Sequence, residues 1–69
     1  MIELRTRDGL KEFLSHKAIA RVRETGPTSQ WHGIRSHIYL FDGALLECQQ
    51  TAVEVVALIA KEEEKEAAK

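Results

Sequence analysis

The chain predicts an α+β domain: a four- or five-stranded antiparallel β-meander with one C-terminal amphipathic helix packed on one face. Three observations carry that expectation. Apolar and polar residues alternate at Ile2–Arg5 and again over Ile34–Phe41. Asp-Gly pairs, Asp8-Gly9 and Asp42-Gly43, follow these alternating runs, where a hairpin would turn. Thr51-Ala52-Val53-Glu54 then matches a capping box, with a hydroxyl first and a carboxylate three residues later.

Ile2 and Leu4 share one side of the first strand, and Asp8-Gly9 supplies a primed turn into a returning strand over Leu10–Ser15. The phase of that second strand is less clear, because Phe13 and Leu14 are adjacent and must face opposite sides. The stretch from Ala18 to Thr25 fits helical spacing through Ala18, Ile19 and Val22, and it also fits strand alternation. A bend near His16-Lys17 followed by a strand is favoured, which places Arg21 and Arg23 on one face. Gly26-Pro27-Thr28-Ser29 reads as a loop between two hairpin-like halves.

Ile34–Phe41 is the most strand-like run. Ile34, Ser36, Ile38 and Leu40 fall on one face, and Arg35, His37, Tyr39 and Phe41 on the other. Beyond Asp42-Gly43, Leu46 and Cys48 continue the inner face, opposite Leu45 and Glu47. In the helix, Ala52, Val55, Val56 and Ile59 form an apolar stripe that Leu58 widens. The stripe is expected to cover Ile2, Leu4, Val22, Ile38, Leu40, Leu46 and Cys48. Residues 1–60 thus form one domain, and 61–69, "KEEEKEAAK", a solvated helical tail.

The order of an "IEL" strand, "AIARV", a strand ending in "LFDG", a short strand and "QQTAVEVVALI" resembles the small flagellar FlbD-type proteins and similar short phage and prophage proteins. The resemblance covers about Ile2 to Ala60 and is a pattern of apolar positions, glycines and a helix start. The "GPTSQWHG" loop, Trp31 and the histidines depart from it. It brings no catalytic motif. It implies a small accessory or assembly protein.

A chain of 69 residues has room for one modest core. Its hydrophobic fraction of 43% and charged fraction of 30% are those of a globular domain. No apolar run reaches the ~20 residues that cross a bilayer. "MIELRTRDG" has no apolar signal-peptide region, and the single Cys48 excludes an internal disulfide framework, so a cytoplasmic location is expected. Residues 1–40 carry seven basic and four acidic side chains, and residues 41–69 carry three basic and seven acidic ones.

His16, His32, His37 and Cys48 lack the spacing of a zinc site, and no nucleophile–base–orienter set or phosphate-cradling glycine loop is present. Neither metal nor cofactor nor enzymatic activity is expected. Arg21, Arg23, Arg35, His37, Tyr39 and Phe41 form the candidate interaction face. Trp31 lies in the loop beside it, either plugging the core's edge or anchoring a partner, with the plug favoured in so small a domain. Tyr, Phe and Arg on one surface suit a protein interface. The expected function is a non-enzymatic interaction or assembly module, a bacterial or phage accessory protein that self-associates through this face. A host or viral protein is a further candidate partner. The alternative is a module binding single-stranded nucleic acid by stacking and phosphate neutralisation.

Overall fold

Two turns of the same construction set the hairpins. In the computed structural model, which describes residues 1–67, strand β1 (Ile2–Arg5) returns as β2 (Lys11–Leu14), and β4 (Ser36–Leu40) returns as β5 (Leu45–Cys48). The Thr6 amide donates to the Leu10 carbonyl at 2.8 Å and the Gly9 amide to the Thr6 carbonyl at 3.0 Å. Leu40, Ala44 and Gly43 repeat this pattern at 2.9 and 3.0 Å. Only the glycines take positive φ, +82° at Gly9 and +92° at Gly43. The loops are therefore type I turns closed by a left-handed glycine, not the primed turns that the Asp-Gly pairs suggest, in which the aspartate also needs positive φ.

Five strands are present, but not as one meander. β1 and β2 form one antiparallel pair, and β3 (Ile19–Glu24), β4 and β5 form a three-stranded antiparallel sheet. β2 and β3, consecutive in sequence, do not pair. The chain between them tightens into a 3-10 turn at His16–Ala18, where the Ser15 hydroxyl accepts the Lys17 amide at 3.3 Å, and the strands part there. The two sheets meet instead through an isolated bridge between Thr6 and Cys48. Beside it the Gln49 amide donates to the Arg5 carbonyl at 2.8 Å and the Arg7 amide to the Glu47 carbonyl at 2.9 Å. The junction joins only the end of β1 to the end of β5, and the strand orders stay β1-β2 and β3-β4-β5.

The "GPTSQWHG" segment is ordered more than a loop. Pro27–Trp31 form a short helix, α1. Proline is pre-shaped for a first helical position, and Gly33, at φ +85°, ends the segment in the left-handed region that suits a helix exit.

The core is where the sequence places it. Ile2, Leu4, Ile38, Cys48 and Val55 are buried together, with Leu14, Ile19, Val22, Leu40, Leu46, Leu58 and Ile59 packed against them. Val55, Leu58 and Ile59 belong to helix α2 (Ala52–Ala67). Val56 leaves the expected stripe. Each residue advances a helix by about 100°, so with Val55 at the centre of the buried side Val56 turns outward and is 53% exposed.

Polar groups inside the core are paired. The Ser36 hydroxyl donates to the Gln50 carbonyl at 2.7 Å, and the Thr25 hydroxyl to the Ile34 carbonyl at 2.7 Å. The segment expected to be a solvated tail stays helical to Ala67 and carries ionic contacts. Glu62 accepts from the Met1 amine at 2.7 Å, and Glu66 lies 3.6 Å from His16 Nε2 and 3.7 Å from Lys17 Nζ. Ala68 and Lys69, also assigned to that tail, lie outside the described residues.

Candidate interaction face

Cross-strand register builds this face from two rows. Tyr39 on β4 stands opposite Arg21 on β3 and Leu45 on β5. His37 stands opposite Arg23 and Glu47. Neighbours in such rows are close enough to interact. α2 packs on the other side of the sheet, against Val22, Ile38 and Leu46, so both rows point away from the core.

In the first row the Arg21 guanidinium carbon lies 6.0 Å from the centre of the Tyr39 ring, at the outer reach of a cation–π contact. Leu45 is 48% exposed, and Phe41, one residue beyond β4, is 75% exposed. In the second row the Glu47 carboxylate lies 3.9 Å from His37 Nε2 and, from its other oxygen, 3.8 Å from an Arg7 guanidinium nitrogen. Among the described residues neither Arg21 nor Arg23 has a carboxylate within ion-pair distance. The face thus offers two unpaired guanidiniums, an aromatic ring and apolar surface around a neutralised Glu47.

Arg35 does not join these rows. β4 begins one residue later, and the Arg35 amide donates to the Cys48 carbonyl at 2.8 Å as the chain enters the sheet from Gly33. Arg35 instead lines two adjoining grooves, one with Glu3, Arg5 and Glu54, the other with Glu24, Trp31 and Thr51. Their charges balance. Trp31 does not plug the core. It is 88% exposed, because α1 is too short to turn both its ends inward and Ile34, not Trp31, fills the adjoining buried position at 6% exposure.

Sequence reasoning had Glu47 on the right side of the sheet but outside the site. The Asp42-Gly43 hairpin register contains the signal that sets it opposite His37. Arg7 could not be found that way, since it reaches Glu47 only through the Thr6–Cys48 junction, which no local pattern announces.

The other chemistry-bearing side chains are dispersed. His16 is buried beside Glu66, His32 follows the last turn of α1, and His37 is on the outer face. Cys48 is wholly buried, and burial, aided by the charge of Glu12, pushes its thiol up to about 11. It stays protonated at neutral pH and is a poor nucleophile. Among the described residues no three His, Cys, Asp or Glu side chains are gathered to hold a metal ion, and no helix is long and apolar enough to cross a membrane. No family model, no curated protein and no solved structure matches the chain.

Proposed function

We propose that this chain is a non-enzymatic protein-interaction module, an accessory or assembly protein of the bacterial or phage kind acting in the cytoplasm, which self-associates through the outer face of its three-stranded sheet. The observation that carries the reading is the Arg21–Tyr39–Leu45 row with Phe41 beside it. One helix shields the inner side of the sheet, and the described residues supply no second layer for the outer side. A ring, two exposed apolar side chains and two arginines without an ion-pair partner among the described residues have, on one surface, the composition of an interface centre. A two-fold contact would set this patch against its own copy, as isologous interfaces do.

The test replaces Tyr39 and Phe41 together by serine. The solution mass at high micromolar concentration falls relative to wild type while the helical circular dichroism persists. An unchanged mass overturns the reading.

Arg21 over Tyr39 also favours a second reading, single-stranded nucleic acid stacked on Tyr39 with its phosphates on Arg21 and Arg23. Oligonucleotide binding that collapses between low and high salt would select it. Binding absent at low salt would dismiss it.

A further inference from the structure

Helix α2 has a second apolar side that none of the described residues covers. Val53, Val56, Ala57 and Ala60 recur at helical spacing opposite Val55 and Glu62, and all four are exposed, Val53 at 79% and Val56 at 53%. A surface helix ordinarily turns polar residues outward. The first half of α2 is apolar on both sides, the pattern of a helix with a neighbour on each.

The charges flanking this stripe identify the neighbour. Glu54 and Lys61 lie on the same flank of the stripe, seven residues apart, which is about 10.5 Å along a helix axis. They are too far apart to pair within one chain, and among the described residues neither is in an ion pair. The capping box would have directed the Glu54 carboxylate back to the Thr51 amide. Only the other half of the box forms, the Glu54 amide donating to the Thr51 hydroxyl at 3.2 Å.

Opposite charges placed symmetrically about a point on one helix are self-complementary under a two-fold axis. With the axis perpendicular to the helix and passing between Ala57 and Leu58, a second α2 runs antiparallel to the first. A flank then meets the same flank, so Glu54 faces Lys61 of the other copy, twice. Ala57 lies nearest the axis, where a small side chain lets the helices approach, with Val56 and Ala60 next and Val53 at the ends of the contact. Each helix also lays its acidic second half, with Glu63 and Glu64, along the positive amino end of the other. A parallel pairing would instead set each flank against the opposite flank of the other copy and would not bring Glu54 to Lys61.

We infer that the outer side of α2 is a homodimer contact in which two copies of this chain pack these helices antiparallel, locked by reciprocal Glu54–Lys61 ion pairs. This contact is separate from the sheet face and lies on the other layer of the molecule. A chain that uses both can assemble beyond a dimer.

The test isolates the helix contact by working in chains that carry Tyr39→Ser and Phe41→Ser. Sedimentation across the micromolar range reads the mass, and circular dichroism confirms the helix. The expected species is a dimer. Glu54→Lys alone and Lys61→Glu alone each weaken it about tenfold, and mixing the two single variants in equal amounts restores it to within about threefold, because each repelling pair becomes an attracting one in the heterodimer.

A folded sheet-face variant that sediments as one chain at high micromolar concentration overturns the helix contact and leaves the sheet reading standing. A dimer indifferent to both charge reversals, or not rescued by mixing, overturns the antiparallel register. A mass identical in wild type and sheet-face variant that falls on Glu54→Lys sinks the sheet reading and supports this one. Should the sheet-face variant fail to fold, the same reversals and mixing in the wild-type background decide the point.

Discussion

At the amino end of α2 one hydroxyl replaces the missing helical partner of one amide. Thr51 accepts the Glu54 amide at 3.2 Å, and removing such a cap costs about 0.5–2 kcal/mol. Thr51→Ala is therefore expected to lower the unfolding free energy by that amount, moving the urea midpoint down without changing the slope, and an unchanged midpoint would show the cap to be idle. Cys48 sets a second residue-scale expectation. Its thiol, ordinarily near 9.0, is pushed up to about 11 in the folded chain. The folded state therefore holds this proton where the unfolded chain has lost it. The stability this contributes is fully present below pH 9 and is lost as pH rises through 11, up to about 2–3 kcal/mol. Thermal melts stepped across that window read the loss, and Cys48→Ala should flatten it; a variant with the same alkaline limb would refute the assignment. These two residues were legible in the sequence because each follows from a local rule, a capping spacing and a strand parity. Trp31 was not legible, because whether an aromatic plugs or protrudes depends on the length of a helix that the "GPTSQW" stretch hardly announces.

Among the elements, the hairpins depend on backbone conformation more than on contacts. Gly43 takes φ +92°, and no atom lies within 4 Å of where a Cβ would sit. Gly43→Ala thus isolates the left-handed strain, about 1–2 kcal/mol, with no steric clash added. Equilibrium denaturation measures it, and a neutral outcome would mean that the turn relaxes to another type. The Asp-Gly pairs did locate both hairpins, and the strand parities from Ile34 to Cys48 follow directly from alternation. The relation between the sheets was hidden. Thr6 and Cys48 are far apart in sequence, and the sheets they join share one core in which Leu4, Ile38, Cys48 and Val55 are buried together, contacts that no local pattern announces. For the same reason Arg35 was assigned by parity to a strand that begins only after it.

As a whole, the molecule is two small antiparallel sheets joined at the Thr6–Cys48 bridge with α2 packed against their core, and among the described residues two surfaces are left without a cover: the outer face of the three-stranded sheet and the outer side of α2. The candidate site was about half readable. Tyr39, His37, Arg21 and Arg23 share a face as strand alternation requires, whereas Arg35 and Trp31 belong to grooves formed by the α1 connection. The paired surfaces make the assembly state the quantity that most depends on this account. The most direct test is sedimentation equilibrium of the wild type beside the Tyr39→Ser, Phe41→Ser chain, from low to high micromolar concentration. The wild type should rise above the mass of one chain, and the variant, still helical, should show a lower average mass than the wild type at each concentration at which the wild type associates. Superimposable mass curves for the two chains would contradict the claim that the outer sheet face is where this protein meets its partner.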